Sequence, residues 1–185
     1  GCRLRHTPAK LKDLHMIRSL ATALLLTIVT PATAQVRLVD AGIICPREST
    51  GELVETPGTE AGYIRRIQQG QTFDLPDRIV PAMDNLSFGF RTALKPGMPM
   101  QDVTVVVTHP PMGDRGVERE EWSDVIEPGS ESLNLFTFEM DYEKVPGAWE
   151  FSIEVDGTPV VRVPFTVTES EGRGRVEQAC FQFLS

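Results

Sequence analysis

Residues 148–155, with the sequence AWEFSIEV, decide the fold class. Apolar and polar side chains alternate along this stretch, as they do along a strand with one buried face: Trp149, Phe151, Ile153 and Val155 against Glu150, Ser152 and Glu154. Asp156-Gly157 follows, and both residue types tolerate the positive φ of a tight hairpin turn. A second apolar series then continues on alternate positions, at Val161, Val163, Phe165 and Val167. The pattern predicts a β-hairpin.

Similar strand patterns extend in both directions along the chain. They cover residues 86–94, 103–109 and 132–139 and, more weakly, 36–44, 62–68, 118–126 and 176–184. Proline–glycine turns separate them, at residues 95–97, 110–113, 127–129 and 145–147. We therefore predict an all-β fold, an antiparallel β-sandwich of immunoglobulin-like kind with seven to nine strands. Residues 169–175 (ESEGRGR) are expected to form an irregular, mobile connection.

A proline within the second strand of the hairpin limits how that strand can pair in a sheet. Pro164 has no amide hydrogen to donate to a neighbouring strand. Either this side of the strand is a sheet edge, or a bulge lies there.

The first 34 residues have the layout of an export signal. A short positive stretch (Met16-Ile17-Arg18) precedes an apolar run at 20–29, and Ala32-Thr33-Ala34 is typical of a cleavage site before Gln35. As a helix the run spans about 15 Å, half of a bilayer's hydrocarbon core, so a permanent anchor is not expected. We predict an upstream extension that is not native (1–15), a signal-peptide helix (16–34) and a single sandwich domain (35–185).

The charge of the chain argues against binding to polyanions. The formal net charge is −8. Five of the 18 basic residues and one of the 26 acidic residues precede Gln35, so the remainder holds 13 and 25 and carries −12. A body this acidic repels phosphate backbones and anionic lipid surfaces. We expect no nucleic-acid partner and, after cleavage, no membrane anchor, and we expect the protein to be periplasmic or secreted.

Cys45 and Cys180 are the two cysteines of the predicted mature chain. In an oxidising compartment an even pair is expected to form a disulfide. The bond would close a loop of 135 residues and would require the first and last strands to be neighbours. Redox-active pairs usually lie close in sequence, as in C-x-x-C, and these two do not.

After Gln35 the sequence contains few of the residues that common catalytic and metal sites require, and we predict no catalytic residue, metal site or cofactor. His109 is the one histidine after Gln35, and no G-x-S-x-G elbow presents a serine. Carboxylates are plentiful: Glu118, Glu120, Glu121 and Asp124 surround Trp122, and Glu139, Asp141 and Glu143 would share one side of an extended segment. A solvated acidic face is the expected reading, although a hard-cation site or a glycosidase pair remains an alternative.

A proline-rich segment is the candidate recognition loop. This segment leaves a strand that the sequence pattern predicts to be central in its sheet. It consists of His109, Pro110, Pro111, Met112 and Gly113, and Arg115 lies just beyond it. Loops at the end of a sandwich often carry binding residues. We predict a ligand- or partner-binding role for these six residues, against the alternative of a rigid turn.

Several runs resemble an uncharacterised family of small exported bacterial proteins, described only as a domain of unknown function. The resemblance covers residues 40–167 and is carried by GFRT (89–92), VVVTHPPMG (105–113), LNLFTFE (133–139) and YEKVPGAW (142–149). The final P-G-x-W-x-F-x-I hairpin also resembles that of immunoglobulin-like extracytoplasmic modules. These likenesses imply a fold and no activity.

The sequence thus favours an exported, non-catalytic binding module of the cell envelope. Its expected partner is a protein or another envelope component, bound through end loops or an exposed strand edge. The alternatives are a carboxylate-based hydrolase acting on glycans and a calcium-dependent adhesive module. Two converging acids beside a tryptophan on a concave face would favour the hydrolase.

Overall fold

The computed structural model describes residues 35–181. The predicted signal peptide and the extension before it lie outside these residues. Ten strands are present in the described part: β1 (Val36–Ile44), β2 (Leu53–Glu55), β3 (Tyr63–Arg65), β4 (Ile79–Pro81), β5 (Ser87–Leu94), β6 (Gln101–Met112), β7 (Val117–Ile126), β8 (Glu131–Thr137), β9 (Gly147–Val155) and β10 (Thr158–Thr168). A short 3-10 helix (Asp141–Glu143) precedes β9, and helix α1 (Arg173–Phe181) follows β10.

Two sheets form the sandwich. One has the order β1-β5-β8 and the other the order β4-β10-β9-β6-β7, while β2 and β3 make a separate hairpin. All pairings are antiparallel except that of β4 with β10. The predicted all-β antiparallel sandwich is confirmed, with eight strands in the two sheets and a two-stranded hairpin in addition.

Aromatic side chains fill the space between the sheets. Phe88 of β5 lies at the centre, with five other rings between 5.3 and 6.0 Å from its own: Phe136, Phe138, Trp149, Phe151 and Phe165. Trp149 is buried, as its place in the alternating pattern of β9 predicts. Edge-to-face contacts of this kind add to the stability gained from burying each ring.

Pro164 lies at an open side of β10. On one side β10 pairs with β9 along its length, with Pro164 opposite Glu150. On the other side, within residues 35–181, the strand pairs only with β4, at Thr166–Thr168. Of the two alternatives, the sheet edge is correct, since the bulge in β10 lies between Pro159 and Val161.

Strand β6 is longer than predicted. It continues through Pro110 and Pro111 to Met112, so most of the predicted turn at 110–113 is strand. A register shift between Thr108 and Met112 explains how two prolines fit there, because the ladder of hydrogen bonds to β7 is interrupted. The turn itself contains Gly113, which has φ of +69°.

The strand predicted at residues 176–184 is wrong over its described part, because these residues belong to helix α1. The irregular connection predicted at 169–175 ends at Arg173, where α1 begins. Val176 and Cys180 are four residues apart and share a face of α1, which buries Val176 in the core. The disulfide Cys45–Cys180 is present, with Cα atoms 5.5 Å apart. It joins the residue after β1 to a helix, so the expected pairing of first and last strands is also wrong.

Within the described residues, no helix is long and apolar enough to span a membrane.

Candidate functional site

A long connection crosses the outer face of the three-stranded sheet. We call residues 46–71 the covering segment; it contains the β2–β3 hairpin. The side-chain amide of Gln69 fastens it to the edge of β8, accepting from the backbone N–H of Leu133 at 2.7 Å and donating to its carbonyl at 3.3 Å. The buried guanidinium of Arg91 holds its end by donating to the carbonyl oxygen of Gln71. These contacts fix the segment above the sheet.

A cleft of about 930 Å³ lies between the covering segment and the strands beneath it. The strands contribute Leu133, Leu135 and Thr137 from β8 and the polar residues of β7, and the covering segment contributes Val54, Tyr63 and Arg65 among others. In the part of the chain that the structure describes, both β7 and β8 are the last strands of their sheets. The cleft therefore opens between two sheet edges.

Glu120 is a buried carboxylate on the cleft side of β7. It is only 5% exposed and shares the inward face of the strand with the half-buried Trp122. Its Oε1 accepts a hydrogen bond of 2.7 Å from the backbone amide of Glu60. Burial raises the pKa of Glu120, and the charge of Glu60 adds to the increase, although that hydrogen bond and the nearby His109 and Arg115 oppose it.

Glu143 is a second buried acid in the same cleft. It is 8% exposed and ends the 3-10 helix. Its Oε2 accepts from the backbone amides of Glu139 and Met140, at 2.6 and 2.7 Å. Burial outweighs these bonds and, together with the charges of Glu139 and Glu120, raises the pKa of Glu143 to about 7. A carboxyl group with this pKa exchanges its proton near neutral pH.

The carboxylate of Glu60 packs against the turn that contains Gly113. Arg115 Nε lies 3.2 Å from Glu60 Oε2, and the Arg115 guanidinium also donates to the Glu60 carbonyl at 2.8 Å. A Cβ at Gly113 would be 2.2 Å from Glu60 Oε1, so only glycine allows this approach. The β6–β7 turn and the covering segment are thus joined at this point.

His109 is 6% exposed and stacks against Trp149, with 4.6 Å between the ring centroids. Because a carbonyl oxygen can only accept, Nδ1 is the donor in the 2.8 Å hydrogen bond to the oxygen of Pro110. Among the described residues, Nε2 has no hydrogen-bond partner. The buried ring lies close enough to Glu120 for its charge to lower the pKa of that carboxyl group.

The six residues predicted to bind a partner do not form one exposed loop. His109 and Met112 point into the core, Pro110 and Gly113 are half-buried, and Pro111 and Arg115 are exposed. The structure places His109 beside Glu120 and places Gly113 and Arg115 around Glu60. Their binding role stays a prediction.

The carboxylates of residues 139, 141 and 143 do not share one side, as an extended segment would require. Glu139 pairs with Arg65 at 3.1 Å, Asp141 points to solvent beside Lys144, and Glu143 is buried. The reason is the turn of the 3-10 helix. In the described part of the chain, no three His, Cys, Asp or Glu side chains are grouped to hold a metal ion.

Sequence reasoning did not distinguish Glu120 and Glu143 from the many other acids and did not find Glu60. One signal was present for Glu120. It occupies an inward position in the alternating pattern of β7, in phase with Trp122 and Ile126, where an apolar side chain is expected. The positions of Glu60 and Glu143 depend on contacts between distant parts of the chain.

Comparison with known proteins gives the family of this chain. The curated proteins include none that matches this chain. A similar solved structure is an immunoglobulin-like protein from Pseudomonas aeruginosa, with 18% sequence identity and a TM-score of 0.44, over 74% of this chain and 99% of that one. The family model described as Domain of unknown function (DUF3859) matches residues 32–167. The chain therefore belongs to the DUF3859 family.

Proposed function

We propose that the protein is an exported, non-catalytic binding module of the cell envelope, which holds a protein or another envelope component in the cleft under the covering segment. The observation that carries this proposal is the position of the cleft between two edge strands, β7 and β8. Edge strands offer unpaired backbone groups to an extended ligand.

The contact of Gln69 with Leu133 supports an extended ligand. Its side-chain amide bonds to both the N–H and the carbonyl of one residue of β8, as the backbone of an added strand would. Thus the edge of β8 already accepts an amide group in the cleft. A polypeptide segment can make the same bonds along β7, which within the described residues pairs with β6 alone.

Export and location in the envelope are part of the proposal. The support is the signal pattern before Gln35 and the disulfide between Cys45 and Cys180, a bond typical of oxidising compartments.

The test is photocrosslinking in cells that export the protein. A photoreactive amino acid at Gln68, an exposed position lining the cleft, is compared with one at Arg162, an exposed position of β10 outside it. A defined crosslinked species from position 68 and none from position 162 is expected. Equal labelling from both positions, or from neither, would contradict binding in the cleft.

A second candidate is a carboxylate-based hydrolase acting on glycans. It is favoured by Glu120, Glu143 and Trp122, which line the same cleft as two acids and an aromatic surface. A carboxyl group with a pKa of about 7 suits a general acid. The test is release of reducing ends from isolated cell-wall glycans by the purified protein. Turnover that disappears in Glu143→Gln would establish the hydrolase and overturn the non-catalytic module.

A further inference from the structure

The cleft runs along the edges of two strands rather than over one face of a sheet. Five consecutive residues of β8, 133–137, line it, and so do five consecutive residues of β7, 120–124. Neighbouring side chains of a strand point to opposite faces of the sheet, so a cleft that touches every residue of a run lies beside the backbone. The backbone groups that face away from the rest of each sheet are therefore directed at this space.

The contact with Gln69 shows which residues of β8 have such groups. In an antiparallel ladder, residues whose backbone bonds to the partner strand alternate with residues whose backbone faces away from it. The N–H and carbonyl of Leu133 bond to the side chain of Gln69, so Leu133 faces away from β5. Phe138 has the opposite phase, since its N–H donates to the carbonyl of Leu86 at 3.1 Å. Leu135 has the phase of Leu133 and faces the cleft.

Leu135 is the free position in this row of outward-facing residues. On one side of it Gln69 occupies the backbone of Leu133. On the other side the carbonyl of Thr137 accepts a hydrogen bond of 2.9 Å from the amide of Glu139. Among the described residues, no backbone group outside the sheet bonds to Leu135. The row thus offers the N–H and carbonyl of Leu135 and the N–H of Thr137 to a ligand.

The charge of the cleft indicates the side chains that such a ligand carries. Seven of the residues that line the cleft are acidic and three are arginines. Opposite charges on two binding surfaces speed their encounter and favour the matching partner. We propose that the ligand is an extended polypeptide segment with basic side chains, which adds to β8 by backbone hydrogen bonds to Leu135. This inference rests on the cleft being the binding site, and it adds the class of ligand and the strand that the ligand pairs with.

A polypeptide backbone matches the groups that β8 offers. It presents an N–H and a carbonyl on the same side at every second residue, which is the spacing of Leu133, Leu135 and Thr137. The amide of Gln69 already makes this pair of bonds one position earlier in the row. The open side of β10 is less suitable, because Pro164 has no amide hydrogen there.

The test uses the acetylated peptide amide KVKVK as the probe, and binding to the purified protein is followed by amide chemical shifts. We expect saturable shifts at residues 133–137 and slower hydrogen exchange at the amide of Leu135. The peptide EVEVE has the same type of backbone and the opposite charge, and it should bind at least roughly tenfold more weakly. Equal binding of the two peptides would overturn the assignment of a basic ligand.

Two N-methylated isomers of the probe test the backbone bonds on the unchanged protein. Methyl groups on its two valines remove the donors along one edge of the peptide, and methyl groups on its three lysines remove those along the other edge. Both isomers keep the side chains and the charge. One isomer should bind as the probe does, and the other should lose at least roughly tenfold in affinity. Equal affinities of the two isomers would overturn strand addition.

A matched pair of proline variants tests the same bonds on the protein. Leu135→Pro removes the N–H that faces the cleft and leaves the bonds to β5 in place, as proline at a sheet edge does. Arg162→Pro makes the same change on β10, two residues from Pro164, at the open side of that strand. The first variant should bind KVKVK at least roughly tenfold more weakly, and the second should bind it as the unchanged protein does. Thermal melting verifies that each variant is folded.

The outcomes distinguish this inference from the proposed function. Absence of saturable shifts with KVKVK would overturn strand addition at Leu135 even if the crosslink from position 68 forms in cells. Binding that one N-methylated isomer and Leu135→Pro both lose would support it. If that crosslink is then absent, the result counts against the envelope partner alone.

Discussion

The backbone amide of Glu60 donates a 2.7 Å hydrogen bond to the carboxylate of Glu120, which is 60 residues further along the chain. This bond joins the covering segment to the edge strand β7. The same glutamate is buried and faces the cleft. The covering segment is thus held by a residue that is also a candidate ligand-binding group.

Replacing Glu120 by alanine should release this part of the covering segment. The amide of Glu60 would lose its acceptor, a change that costs about 1–3 kcal/mol when the group stays buried. We expect faster hydrogen exchange at residues 59–62 and little change in β9, measured by mass spectrometry. Glu120→Gln retains an acceptor oxygen and should preserve the protection. Unchanged exchange in the alanine variant would show that the bond does not hold the segment.

The fold was largely predictable because its strands follow local rules. The β9–β10 hairpin has strict alternation and an Asp156-Gly157 turn, and the structure places the strand ends next to these residues. The C-terminal helix was missed because Val176 and Cys180 fit both a period of two and a spacing of four. The choice of helix over strand depends on tertiary contacts, namely the bond of Cys180 to Cys45 and the packing of Val176 in the core.

The candidate site was less predictable because it depends on tertiary contacts. The proline pair at 110–111 is typical of a turn, yet β6 continues through it at a bulge. His109 is therefore buried against Trp149 rather than presented in a loop. A carboxylate such as Glu143 acquires its unusual pKa from burial, which a sequence pattern does not show.

Removing the disulfide should destabilise the protein strongly. Cys45 and Cys180 close a loop with a sequence separation of 135. In the chain-entropy model such a loop is worth roughly 4–5 kcal/mol, because the cross-link restricts the unfolded chain. We expect Cys45→Ser/Cys180→Ser to lose a few kcal/mol in urea unfolding and to accumulate less after export. Two free thiols in the intact mass of the exported protein would contradict this prediction.

Phe88 should be the most sensitive position of the core among the aromatic residues. Its ring is fully buried and contacts five other rings. Phe88→Ala leaves a cavity between the sheets and should cost about 3–5 kcal/mol. Phe88→Leu fills most of the space and should cost less. Denaturant unfolding measures both, and a loss below about 1 kcal/mol in the alanine variant would be inconsistent with this packing.

Stability should decrease as the pH rises through neutrality. The pKa of Glu143 is about 7 in the folded protein against 4.5 for an ordinary glutamate side chain, so the folded state binds this proton more tightly than the unfolded state. Its contribution is fully present below about pH 4.5 and is lost as the pH rises through about 7, an effect of at most about 3.4 kcal/mol. Glu120 acts in the same direction, since its pKa is also raised.

Acids whose pKa values are lowered affect the stability of the protein in a separate, more acidic pH range. Hydrogen bonds from backbone amides and Arg175 lower the pKa of Asp77 against the effect of burial, so its stabilisation is lost only at more acidic pH. Urea unfolding at about pH 5 and pH 8 therefore excludes the effect of Asp77 and covers the range in which Glu143 loses its proton. The unchanged protein should be less stable at the higher pH, and Glu143→Gln should show a smaller difference. An equal or larger difference in that variant would mean that another group titrates in this range.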